Sequence, residues 1–327
     1  MKLFLCRSSG SFALLLTALL AIGTAHAQLY VAFDNGNEGV IRTYSTSGSS
    51  LNSPFISVNA PYGITYNSGS LYVGTLGSSP TVPTGNSINE YNATTGTAIY
   101  APLQSYGASV IDVAIYGGHV YAAYYGISHV GEYSATTPQT VVSHSIIAAG
   151  VSNDRGIAFG SSGTLYVSSY TNGTVGTYTS TGSPLNTTFL SGIVNPWGIA
   201  VDAAGNVYVA SDMPGTAGSI GRYDATTHVF NAGFITNLNR PLYLALDGQG
   251  NLYASMFGNT SNNGSIGKFD ATTGIGNSQF IPGLNAPTGI ALDLSAIPEP
   301  SAADLVFIGG IAYALWRARE NVRKKLK

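Results

Sequence analysis

Between Leu29 and Leu294 the apolar positions come in short runs rich in Val, Ile, Tyr and Ala, each closed by a polar turn cluster such as Asp202-Ala-Ala-Gly-Asn206 or Asp224-Ala-Thr-Thr227. Short β-branched and aromatic runs bounded by such residues predict strands, because Asp, Asn, Gly and Thr supply the bonds and dihedrals of tight turns. The runs recur as a phrase. PWGIAVDAAGNVYVAS from Pro196 returns as PYGITYNSGSLYVG from Pro61, IDVAIYGGHVYAA from Ile111, RGIAFGSSGTLYVSS from Arg155, PLYLALDGQGNLYAS from Pro241 and, shortened, PTGIALDLS from Pro287. Each full copy leads into a second phrase, among them SINEYNATTG, SIGRYDATTH and SIGKFDATTG. The tyrosines of the first phrase fall at Tyr30, Tyr72, Tyr121, Tyr166, Tyr208 and Tyr253, spaced by 42, 49, 45, 42 and 45 residues. A period in this range with room for four antiparallel strands predicts propeller blades. The last copy holds only a first strand (289–294) and the first copy holds everything except that strand (29–58), so the two ends complete one blade and remove the open edge. The predicted body is an all-β, six-bladed β-propeller over residues 28–297, closed by pairing of its N- and C-terminal strands.

The chain ends carry other patterns. Lys2 and Arg7 precede an apolar run from Phe12 to Ile22, and Ala25-His26-Ala27 offers a small-x-small cleavage site, so residues 1–27 read as a secretory signal peptide. The only cysteine is Cys6, within that segment. A mature chain starting at Gln28 therefore has no thiol for disulfides, metal or catalysis. Residues 298–327 hold Pro298-Glu299-Pro300, an apolar stretch that predicts a short hydrophobic helix, and a basic tail with six Lys or Arg in its last eleven residues. The uncharged part, Leu305 to Trp316, is about 18 Å of helix at ~1.5 Å per residue, against a hydrocarbon core of ~30 Å. Such a helix inserts transiently or as a plain anchor, basic tail inward.

This order of Pro-Glu-Pro, short helix and basic cluster resembles the PEP-CTERM sorting signal of exported bacterial proteins. The resemblance implies an exosortase-type sorting enzyme as partner, cleavage near Pro298-Glu299-Pro300, and a cell-surface or extracellular destination with exopolysaccharide as an associate. Charge narrows the partners further. The whole chain carries a formal charge of −2, but residues 28–297 hold five basic and twelve acidic residues, a charge of −7. Nucleic acid and anionic headgroups are disfavoured by such a surface. Charge does not oppose neutral glycans or cations.

The P-x-G-I-A-x-D-x-x-G-N-x-Y-V phrase resembles NHL-repeat and gluconolactonase-like propellers over nearly all of the mature chain. It implies a fold and leaves function to the site, since such propellers host binding modules, lactonases and lyases. In up-and-down blades the loop entering the inner strand and the loop between the second and third strands share one face. Tyr62, Asp112, Asp154, Arg155, Trp197, Arg240 and Tyr243 gather there as candidate ligand-binding residues. Aromatic rings beside amides and charges suit carbohydrate, the rings stacking on apolar sugar faces while Arg and Asn bond hydroxyls. The alternative is that Tyr62 and Trp197 plug the channel mouth and that the Asn preceding Pro is turn chemistry. A metal-dependent lactonase or related hydrolase is the second functional reading. The resemblance would then require a Glu with Asp and Asn around the channel; Asp112 and Asp154 stand there, but Glu38, Glu90 and Glu132 do not. The histidines are scattered singly and no G-x-S-x-G occurs. No cofactor and no catalytic residue is assigned, and the expected role is a non-catalytic binding protein.

Overall fold

The computed structural model describes residues 28–293 except 35–38, 78–85, 101, 105–107, 136–139, 148–149 and 216. The expected signal peptide and the PEP-CTERM-like segment lie outside the described residues. Residues 28–294 form one compact unit built from six four-stranded sheets. Blade 1 comprises β1 (Gln28–Asp34), β2 (Gly39–Ser45) and β3 (Ser50–Ser57), and blade 2 comprises β4 (Pro61–Asn67), β5 (Ser70–Thr75), β6 (Ser87–Asn92) and β7 (Leu103–Gln104). Blade 3 is β8 (Val110–Tyr116), β9 (His119–Tyr124), β10 (Val130–Ser134) and β11 (Val141–Ser143); blade 4 is β12 (Asp154–Phe159), β13 (Leu165–Ser169), β14 (Thr174–Tyr178) and β15 (Pro184–Leu190). Blade 5 is β16 (Pro196–Val201), β17 (Val207–Ser211), β18 (Gly218–Asp224) and β19 (Val229–Leu238). Blade 6 is β20 (Pro241–Leu246), β21 (Asn251–Met256), β22 (Gly264–Asp270) and β23 (Gly276–Leu284), and β24 (Pro287–Asp293) returns to blade 1.

The closure expected from the sequence is present. β24 pairs antiparallel with β1 from Gln28↔Asp293 to Phe33↔Pro287, giving sheet order β24-β1-β2-β3. The inner strands β24, β4, β8, β12, β16 and β20 are neighbours around the ring. No helix occurs among the described residues.

The turns form as their residues dictate. Asp202 Oδ1 accepts the N–H groups of Ala204 (3.0 Å) and Asn206 (2.9 Å), and Asp247 repeats this with Gln249 and Asn251. Between third and fourth strands, Asp224 and Asp270 each accept two threonine N–H groups, which hold both carboxyls below the ordinary aspartate value. These aspartates bond their own turns, as the sequence indicates.

Two of the recurring tyrosines tie one blade to the next. Tyr30 O–H donates to the Ala93 carbonyl and Tyr208 O–H to that of Ala271, both at 2.8 Å, each reaching the Ala-Thr-Thr turn of the next blade. In these two copies the first phrase is bonded to the second phrase of the neighbour. Around these bonds Leu29, Leu71, Val120, Leu165, Val207 and Leu252 are fully buried. Each such side chain contributes about 1.5–3 kcal/mol by leaving water.

Candidate binding face

Every inner strand begins with the same irregularity. Pairing to the second strand slips by one residue between Pro61 and Ile64, Val110 and Asp112, Asp154 and Ile157, Pro196 and Ile199, Pro241 and Leu244, and where Pro287 gives way to Ile290. A bulge of this kind re-aims side chains at the rim of a sheet. The residue ahead of it lies in the left-handed region in five copies, as Ala60, Asn153, Asn195, Arg240 and Ala286, with φ from 41° to 56°. A second bond fixes the rim. The residue four places after the repeat tyrosine donates its N–H to that rim carbonyl in five of the six copies: Leu76 to Ala60, Tyr125 to Ser109, Tyr170 to Asn153, Asp212 to Asn195 and Phe257 to Arg240. The side chains of this second position thereby stand beside the bulges.

The centre of the face is closed by substitution of glycine. Gly63, Gly156, Gly198 and Gly289 occupy the bulge so tightly that a Cβ would overlap backbone of the next inner strand. In blades 3 and 6, on opposite sides of the ring, the aligned residues are Asp112 and Tyr243. Tyr243 is 4% exposed, and its O–H crosses the channel to donate to the Ile111 carbonyl. Asp112 Oδ2 accepts the Ile157 N–H of the next blade at 2.9 Å and Oδ1 accepts the Val113 N–H at 2.9 Å. Burial pushes its carboxyl up to about 7 against those two bonds. Behind this closure lies a channel cavity of about 300 Å³, walled by the inner strands and including Asp112 and Tyr243.

The other candidates take different positions. The Tyr62 ring meets that of Tyr243 edge-on at 6.5 Å, and burial, then the charge of Asp34, pushes its phenol up to about 12. Arg240 lies over Phe257 and forms a two-pronged pair with Asp212, Nε to Oδ1 at 3.0 Å and Nη2 to Oδ2 at 3.1 Å. Trp197 is 7% exposed. The Arg155 guanidinium sits among three rings, 4.1 Å from the centre of Tyr125, 4.6 Å from Trp197 and 4.8 Å from Tyr170. Sequence reasoning missed Tyr125 and Tyr170. Their signal was present as the fourth residue after a repeat tyrosine, a place that looks like loop until its N–H is seen to hold the rim.

Asp154 is 0% exposed and neither carboxylate oxygen has a hydrogen-bond partner. Its charge helps to raise the Tyr178 phenol, and burial pushes its own carboxyl up to about 7 against the lowering charge of Arg155. The native state therefore holds the Asp154 proton more firmly than the unfolded chain between about pH 4 and pH 7, and its contribution to stability falls as pH rises through that window. Asp112 adds to the same slope. Asp154→Asn cannot ionise, so we expect it to raise stability by about 2 kcal/mol at pH 8 and to change little at pH 4. Urea unfolding at the two pH values measures this, and equal effects at both would contradict the buried carboxyl.

Both Asp112 oxygens are already bonded to N–H groups, Asp154 is enclosed, and no group of three or more His, Cys, Asp or Glu that could hold a metal occurs among the described residues.

Comparison with known proteins fixes the architecture. No protein-family profile matches the chain, and no curated protein matches it in sequence. Among solved structures it is similar to a chain of the nidogen/laminin complex, with a TM-score of 0.61 at 13% identity over 83% of this chain and 100% of that one. It is also similar to a Bacteroides uniformis protein provisionally assigned as a 6-phosphogluconolactonase, with a TM-score of 0.56 at 12% identity over 82% and 99% of the two chains. At these identities the likeness is one of fold, and the chain is a six-bladed β-propeller.

Proposed function

We propose that the protein is an exported, non-catalytic propeller that binds at the cell surface or in the extracellular matrix, in association with exopolysaccharide. An exosortase-type enzyme delivers it by acting on the Pro298-Glu299-Pro300 segment. The single observation supporting a binding role over lactone hydrolysis is the commitment of the polar groups around the channel. Tyr243 is bonded to Ile111, Asp112 to two backbone amides and Arg240 to Asp212, so these three are used in holding blades together, and the uncommitted carboxyl, Asp154, is fully buried away from a substrate. The sorting part rests on the sequence pattern of residues 298–327.

Protein isolated from the host surface tests both parts in one preparation. We expect an intact mass for a chain starting at Gln28 and ending near Pro300, no aldonolactone turnover with or without chelator, and co-sedimentation with the surface polysaccharide. A chain still ending at Lys327 would overturn the sorting step. Chelator-sensitive lactone turnover would overturn the non-catalytic reading in favour of a secreted lactonase.

A further inference from the structure

The Arg155 cluster is built differently from the rest of the face. Among the described residues Arg240 has Asp212 and Arg222 has Asp224 as carboxylate partners, at 3.0 Å in each case. Arg155 is 5% exposed, and its Nε and Nη1 have no hydrogen-bond partner. Trp197, stacked 4.6 Å from the guanidinium, directs its Nε1–H toward the Tyr243 hydroxyl. Leaving a buried donor unbonded costs about 1–3 kcal/mol, more for a charged one, and two such donors on one guanidinium call for an oxygen acceptor. Guanidinium N–H groups match a carboxylate in plane and geometry.

The rings define what carries that carboxylate. Tyr170 and Trp197 meet edge to face, 5.8 Å apart at 86°, and form the inner wall. Tyr125 is the outer wall; it is 49% exposed, and its ring lies 4.1 Å from the guanidinium. An exposed aromatic face next to a cationic fork suits a pyranose ring bearing a carboxylate, the apolar sugar face lying on the ring. The neighbouring charges do not fill the site. Asp212 is spent on Arg240 and Asp34 acts on Tyr62; Asp154 feels the Arg155 charge, but burial raises its carboxyl to about 7 and it makes no hydrogen bond to the guanidinium.

We propose that Arg155, Trp197, Tyr170 and Tyr125 form a subsite for a single uronate unit, its carboxylate accepting from the Arg155 fork, which Trp197 and Tyr170 hold in place, while its ring stacks on Tyr125, which swings aside to admit it. The body's charge of −7 opposes long polyanions, so the ligand is an acidic sugar on an otherwise neutral glycan. This rests on the binding-protein reading and names the chemistry that reading leaves open.

Titration calorimetry of the full chain with a glucuronate-terminated oligosaccharide, its methyl ester and the matching glucoside tests the subsite. We expect the acid to bind at least tenfold more tightly than either neutral form. Arg155→Gln and Tyr125→Ala should each weaken it at least tenfold, and Trp197→Phe, which keeps a ring beside the guanidinium, should weaken it less. Tyr125 is surface-exposed, so its variant reads the site even where Arg155→Gln melts early. Equal binding of acid and ester, or wild-type affinity in Tyr125→Ala, overturns the subsite while leaving a neutral-glycan binder. Binding of an acidic peptide as tight as that of the sugar acid overturns it in favour of a protein partner. No binding of any saccharide, together with lactone turnover, overturns both the subsite and the binding reading.

Discussion

A chain lacking residues 287–294 is expected to lose its cooperative melting transition and to aggregate. Those residues supply the inner strand of blade 1, and without them β1 exposes a row of unpaired backbone groups from Gln28 to Phe33. An edge of this kind pairs with the next chain it meets. The loss is also apolar: Ile290 and Leu292 are buried at 4% and 8% exposure, and the cover they give the neighbouring inner strands goes with them. At about 1.5–3 kcal/mol for each large side chain, before any ladder bonds are counted, the loss takes up much of a stability of roughly 5–15 kcal/mol. The Thr288 Oγ1 bond to the Pro61 carbonyl, 2.9 Å, disappears as well, so blade 2 loses its tie across the seam. Light scattering and circular dichroism melts of the deleted chain check this. A non-aggregating protein with the full-length melting curve would mean that β24 does not close the ring.

The second large effect is expected at Gly198, where valine should lower stability by about 3 kcal/mol or more. A Cβ at this position meets the Leu242 carbonyl oxygen and lies 2.9 Å from Tyr243 Cα. Backbone cannot rotate away as a side-chain tip can, so blades 5 and 6 would have to separate at the axis. Gly233→Ala is the control: its Cβ meets Thr236 Cγ2 at 3.5 Å and Asn231 Oδ1 at 3.9 Å, both ordinary contacts, and its effect should stay within about 0.5 kcal/mol. Urea midpoints of the two variants measure the difference. Similar values would show that the axis has room that the close approach denies.

These two positions mark how far the sequence carries. Strand positions, turn chemistry and the split blade are legible because each depends on neighbours within a few residues or on the repeat period. Glycine in P-x-G-I-A is visible as a recurring letter, but its purpose is contact with the next copy, about 45 residues away. For the same reason Asp112 and Tyr243 read as members of a polar rim, when they are departures from that glycine that fill the space it leaves. The Arg155 cluster is harder still, since its rings come from blades 3, 4 and 5 and share no local pattern. Tyr62, Trp197 and Arg240 lie on the face where the up-and-down order puts them. Their partners follow from three-dimensional neighbours that the linear pattern does not list.

Pairing of the first strand with the last also sets an order in time. At roughly 5–20 residues per second of synthesis, on the order of 10 to 50 s separates the appearance of β1 from that of its partner β24. Throughout that interval blade 1 is three strands wide and its apolar inner edge has nothing to pair with but another copy. Joining segments so distant in the chain also carries a large loop-closure entropy, which only the already formed blades 2 to 6 can reduce by holding the two ends near each other. The seam is thus the slowest contact to form and the first place where crowding during production would divert the chain.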